Sequence, residues 1–227
     1  MYIIQIFLRL IAKLTLFLLG WNYMKQKQFT QFHKYKRSVI IFSHTTYADF
    51  YLFILYFLAY PTEFKNVRVL VKPQPFKYAG FILRKFGCIP SSVFEDRNSG
   101  STIRITQELQ KQKEFIFLLS PKGTIVKSEW RTGYYNIAVN LNAHLLVTGL
   151  DYEKKKIVIS DGIKYDENKD DIERFLKKEL SKIVPLYPDD EIVEIRKHNE
   201  QFRSIIDTDR FFVSIFITIS ILMILWY

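Results

Sequence analysis

Cysteine is almost missing from this chain: Cys88 is the only one in 227 residues. No disulfide can form within the chain, and a reducing compartment is the natural expectation. Glycine is scarce, at 8 residues, and no internal repeat or low-complexity linker divides the sequence. Acidic residues are the minority charge. Lys and Arg number 33 against 23 Asp and Glu, a formal net charge of +10. Such a balance favours anionic partners. No basic helix, Arg-rich arm or nucleic-acid motif accompanies it, so a nucleic-acid binder has the charge alone in its favour. Disorder is excluded for the bulk of the chain, because 48% of residues are apolar and 25% charged. Cys88 sits between Gly87 and Ile89 in an apolar run, which reads as a small buried side chain before it reads as a nucleophile.

Aromatic residues are plentiful: 20 Phe, 14 Tyr and 3 Trp. Both ends of the chain are apolar. Residues 1–21 are mostly apolar, interrupted by Gln5, Arg9 and Lys13, spaced by four and therefore near one helical face. An interfacial helix, with Arg9 and Lys13 reaching lipid phosphates, fits better than a spanning one. A signal peptide is a rival reading, but no small-residue cleavage site follows. At the other end, residues 211–227 carry no charge. A helix there spans about 25 Å at ~1.5 Å per residue, slightly short of a typical ~30 Å bilayer core. A tail anchor is the first reading and a helix in the membrane plane the second. With either, the basic middle stays on the cytoplasmic face.

Between the ends, short apolar runs alternate with helical patterns. Strands are expected over 38–43, 67–71, 115–119, 145–150 and 157–159. Helices are expected over 47–58, 76–85, 101–113, 133–142 and 169–183. This order implies an α/β domain with a central mixed, largely parallel sheet flanked by helices. The expected organisation is a membrane-associated helix in 1–30, the α/β domain in 31–185, a polar connecting segment in 186–210 and the apolar helix in 211–227. The stretch 50–60 is apolar on all sides, the mark of a buried helix, with an acyl groove as the second reading.

The first strand ends at Ser43 and is followed by His44-Thr45-Thr46-Tyr47-Ala48-Asp49. The carboxyl end of a strand is where open α/β sheets place chemistry. A histidine there can act as general base near neutral pH, provided a carboxylate on its other nitrogen fixes the tautomer. In one continuous helix, positions 44 and 49 lie about 140° apart. They meet only with His44 in the loop and Asp49 in the first helical turn, which Thr45 or Thr46 as N-cap would allow. Taken alone, the pair also reads as a loop histidine and a carboxylate placed by the helix dipole. Ser43 is a poor third partner, because adjacent strand residues face opposite ways.

A second block follows the strand at 115–119. It reads Ser120-Pro121-Lys122-Gly123-Thr124-Ile125, then Trp130-Arg131-Thr132-Gly133-Tyr134-Tyr135-Asn136-Ile137-Ala138. Together with the His-x4-Asp block, it resembles the glycerolipid acyltransferase family of lysophosphatidic-acid and glycerol-phosphate acyltransferases. That family carries H-x4-D, G-x-I-x-x-x-R-like and P-E-G-T-R blocks. The likeness covers roughly residues 38–159. EWRTGYYNIA followed by LDYEKKKIVI is similar to a subgroup reading W-K-T-G-F-Y-x-I-A and then D-Y-x-x-K.

The resemblance implies an O-acyltransferase of phospholipid synthesis. His44 would take the proton of an acceptor hydroxyl and Asp49 would orient it. The donor would be acyl-CoA or acyl carrier protein, with no other cofactor, no metal and no covalent acyl-enzyme. The default acceptor would be 1-acyl-glycerol-3-phosphate. Gly123 and Thr124 match the turn that approaches the acceptor phosphate. Gly87-Cys88-Ile89-Pro90 matches the start of the second block, with Arg97 as candidate phosphate ligand. The chain departs from the pattern at Lys122, where the family has Glu, and at Ile125, where it has Arg. Under the resemblance Lys122 would supply positive charge itself, with an exposed loop lysine as the equal alternative, and Arg131 or Lys127 would compensate for the missing Arg. His144 stands near the fourth block's proline and reads as structural. The departures also leave open a non-catalytic lipid-binding protein on the same fold.

Overall fold

The computed structural model describes residues 2–43, 47–62, 64–73, 75–91, 100–122 and 130–186. The described elements, in chain order, are α1 (Tyr2–Leu18), α2 (Gln26–Phe32), β1 (Arg37–Phe42), α3 (Tyr47–Ala59), β2 (Val67–Val71), α4 (Phe76–Lys85), β3 (Cys88–Pro90), α5 (Ser101–Gln110), β4 (Phe115–Leu119), α6 (Gly133–Leu141), β5 (His144–Asp151), β6 (Lys156–Ile159) and α7 (Lys169–Leu180). The six strands form one sheet in the order β3-β2-β4-β1-β5-β6. All neighbours are parallel except β6, which returns antiparallel along β5.

Successive strand side chains face opposite sides of the sheet, and here both sides are apolar. Ile40, Leu118 and Leu146 face a core shared with Ala12 and Leu16 of α1, Phe32 of α2, and Leu52, Leu55 and Tyr56 of α3. Val39, Ile41, Phe117 and Val147 face a second core with Ile105 and Leu109 of α5, Tyr134 and Ile137 of α6, and Ile172 of α7. Burial on both faces explains why these strands read as continuous apolar runs. Each fully buried side chain of this size contributes ~1.5–3 kcal/mol.

The helix after β1 therefore covers one face, and the helix after β4 covers the other. β1 and β4 are adjacent, with Ile41 opposite Leu119. Neighbouring parallel strands that feed opposite faces open a crevice at their carboxyl ends, the usual place for a ligand in such a sheet.

Two short elements were not expected. β3 exists because Gly87, at φ +73°, lets the chain pass close to β2. A Cβ at Gly87 would lie 2.3 Å from the Val67 carbonyl oxygen. α2 is held by its start, where Gln28 accepts from the Lys25 backbone N–H at 2.7 Å. The helix expected over 101–113 stops at Gln110. Ile105 and Leu109 supply its buried face, and the polar run Lys111-Gln112-Lys113 has nothing to bury. α7 likewise stops at Leu180, three residues short of the expected end.

α1 departs from expectation in its orientation. Ala12 and Leu16 are buried against α3, and Arg9 and Lys13 are half-buried beside them. The Lys13 ammonium lies over the Tyr60 ring, 5.2 Å from its centre. The charged stripe is thus turned toward the protein, not outward to lipid phosphates. The outward face is apolar: Phe7, Leu10, Ile11, Leu14, Phe17 and Leu18 are all exposed. Among the described residues, no helix is long and apolar enough to cross a membrane. The helix expected over 211–227 and most of the connecting segment over 186–210 lie outside the described residues.

Candidate active site

β1 is buried over Ser38–Ile41 and leaves the sheet after Phe42. His44, with Thr45 and Thr46, lies outside the described residues. The chain resumes in α3, with Asp49 in its first turn. A carboxylate there is favoured by the helix dipole, by ~0.3–1 kcal/mol at exposed positions. Asp49 is only 3% exposed, and a buried carboxylate must be compensated by donors. One donor is the Tyr152 phenol, which gives a 2.7 Å hydrogen bond to Asp49 Oδ1. Tyr152 comes from the turn at the carboxyl end of β5, the strand on the other side of β1 from β4.

The second block leaves β4 at the same end of the sheet. Pro121 is buried and Lys122 half-buried. Gly123 and Thr124, with Ile125 and Lys127, lie outside the described residues. The chain returns at Trp130, and the Arg131 backbone N–H donates to the Pro121 carbonyl at 3.0 Å. This bond closes the excursion, bringing the backbone of Arg131 beside the residue that precedes Lys122. The Arg131 side chain is exposed. Arg97 falls in 92–99, also outside the described residues. That segment follows β3, whose carboxyl end is fixed by a 2.8 Å bond from the Ser91 N–H to the Val71 carbonyl. Asp49, Lys122 and the carboxyl ends of β1, β3 and β4 therefore share one end of the sheet.

Much of the aromatic second block has a packing explanation. Tyr134, Ile137 and Ala138 are the buried face of α6. Trp130 meets Tyr134 edge-on, with ring centres 5.8 Å apart, and Lys177 lies over the Trp130 ring. Cys88 is buried, and burial pushes its thiol up to about 12, so the packing role expected for it stands. His144 stacks on Tyr35 at 3.9 Å, with the rings nearly parallel. Burial, reinforced by Lys164, holds its pKa below the ordinary value, as suits a structural histidine. Among the described residues, no group of three or more His, Cys, Asp or Glu is placed to hold a metal ion.

The fold is that of an α/β protein with a mostly parallel sheet, in which the carboxyl ends of β1 and β4 are the usual place for a ligand. The model of the Acyltransferase family matches residues 24–150, more than half of the chain, and the chain belongs to that family. Neither curated proteins nor solved structures give a match. Tyr152, two residues beyond the matched span, was not among the expected site residues. Its only sequence signal was the Asp-Tyr pair of the D-Y-x-x-K likeness.

Proposed function

We propose that the protein transfers a fatty acyl group from acyl-CoA, or from acyl carrier protein, to a hydroxyl of a lysophospholipid. The preferred acceptor is 1-acyl-glycerol-3-phosphate. In this reading His44 takes the hydroxyl proton as the oxygen attacks the thioester carbonyl. The tetrahedral intermediate collapses, the C–S bond breaks, and the thiolate leaves with the proton held by His44. Asp49 orients the imidazole and supports its charge. Lys122 and Arg131, with Arg97 and the turn at Gly123 and Thr124, meet the acceptor phosphate. Lysine does so as a point charge, without the two-pronged grip of arginine.

The observation that carries this reading is the burial of Asp49 in the first turn after β1, next to the strand that delivers the second block. Work at a membrane surface follows from the substrates, and the basic balance of the chain favours the cytoplasmic face for the catalytic domain. Long acyl chains stay in bilayers, since each buried methylene contributes ~0.8 kcal/mol. The outward apolar face of α1 and the net charge of +10 suit an anionic bilayer.

The test is an acceptor panel. The protein in vesicles is given labelled acyl-CoA with 1-acyl-glycerol-3-phosphate, glycerol-3-phosphate or a neutral lysophospholipid. Labelled phosphatidic acid as main product supports the reading. Product only from another acceptor moves the assignment to that acceptor. Lipid binding without turnover across the panel favours the non-catalytic alternative, which the Lys122 and Ile125 departures motivate.

A further inference from the structure

The turn after β5 is unusually well held. Asn22, in the linker between α1 and α2, donates its backbone N–H to the Lys155 carbonyl at 2.7 Å. Its side-chain amide donates to the carbonyls of Lys154 and Lys155 at 3.0 and 3.1 Å. Tyr56 of α3 in turn donates to the Asn22 carbonyl at 2.7 Å. On the turn itself, the buried Asp151 carboxylate accepts from the Lys154 N–H at 2.8 Å. Lys155 adopts φ +47° and lies over the Trp21 ring. That ring meets Tyr152 edge-on, with centres 5.1 Å apart and planes at 87°.

The side chains of the Asp-Tyr-x-x-Lys segment therefore have separate tasks. Asp151 closes the turn, Lys155 caps Trp21, and Trp21 backs the Tyr152 ring. The phenol reaches Asp49, 103 residues away in sequence. A side chain braced on this scale loses little freedom when it makes one more bond. The hydroxyl of Tyr152 also matters separately from its ring, because ring packing against Trp21 survives without it.

We infer that Tyr152 is a positioning residue for acyl transfer: its hydroxyl fixes the Asp49 carboxylate, and through it the His44 imidazole. The inference rests on the His44–Asp49 reading of the preceding section. A general base misplaced by a fraction of an ångström loses rate while substrate binding stays intact.

The experiment compares wild type, Tyr152→Phe, Asp49→Asn and the double variant in vesicles, with labelled acyl-CoA and 1-acyl-glycerol-3-phosphate. Tyr152→Phe keeps the ring, and circular dichroism at the assay temperature gives the folded fraction for each variant's rate. It is expected to lower kcat by about tenfold with KM for both substrates unchanged. In the Asp49→Asn background, the same change is expected to have no further effect on residual turnover, because its route of action is gone. Wild-type kcat in folded Tyr152→Phe, or a tenfold drop that persists on top of Asp49→Asn, overturns the inference. If Asp49→Asn itself retains wild-type turnover, the underlying reading of the pair fails instead.

Discussion

Lys13 of α1 sits over the ring of Tyr60, just past the end of α3, with its ammonium 5.2 Å from the ring centre. A cation over an aromatic face contributes ~0.5–2 kcal/mol, more as it is desolvated. Tyr60 is otherwise buried and meets Phe29 of α2 edge-on at 5.0 Å. This contact and the burial of Ala12 and Leu16 agree on the roll of α1 about its axis. The cationic stripe goes inward, and the apolar row goes outward.

That orientation separates two kinds of variant. Leu14 and Phe17 are 56% and 65% exposed, so replacing both with Asp should leave folding intact. Each buried side chain of this size is worth ~1.5–3 kcal/mol on transfer from water. Co-sedimentation with anionic vesicles should therefore fall by well over ~10-fold. Lys13→Ala should do the opposite, lowering the thermal midpoint and leaving vesicle affinity nearly unchanged. Equal vesicle binding by wild type and the double Asp variant would contradict the proposed membrane face.

His144 gives a pH dependence of stability. Its pKa is lowered in the folded state, first by burial and then by Lys164, with Asp166 opposing. The unfolded chain thus binds the proton more tightly. The contribution is fully present above the ordinary value of 6.5 and is lost as pH falls from there through the depressed folded value. Denaturant midpoints measured between about pH 7.5 and 5 should fall on acidification, because unfolding raises the proton affinity of His144. His144→Phe, which keeps the stacking partner of Tyr35, should flatten that part of the profile.

Gly87→Ala tests the joint between β2 and β3. The left-handed backbone alone costs a residue with a Cβ ~1–2 kcal/mol. The added Cβ would also meet the Val67 carbonyl oxygen at 2.3 Å. A loss of more than about 2 kcal/mol in denaturant unfolding is expected. A midpoint equal to wild type would contradict the close approach.

Sequence periodicity located β2, β4 and α4 to the residue, because their apolar runs are bounded by polar or turn-forming segments. It missed β3, where three residues ending in proline carry no period. It missed α2, where Phe29 and Phe32 are the only large apolar side chains in seven residues. The stripe of Arg9 and Lys13 was legible on α1, but its direction was not. A stripe records which residues share a face, and only the tertiary neighbours decide what that face meets. The site divides in the same way. His44, Asp49 and the second block could be singled out as candidates because each belongs to a contiguous motif that follows an apolar run. The Tyr152 contact was not, since it joins two turns 103 residues apart that meet only when β5 docks beside β1.

The account depends most on an imidazole at position 44 acting as the base in acyl transfer. The direct measurement is steady-state turnover of wild type and His44→Ala in the same vesicles, with labelled acyl-CoA and 1-acyl-glycerol-3-phosphate. Folding is matched by circular dichroism. The predicted result is a loss in kcat/KM of about 10³-fold or more, with the thermal midpoint preserved. A folded His44→Ala protein that turns over as fast as wild type would contradict the account.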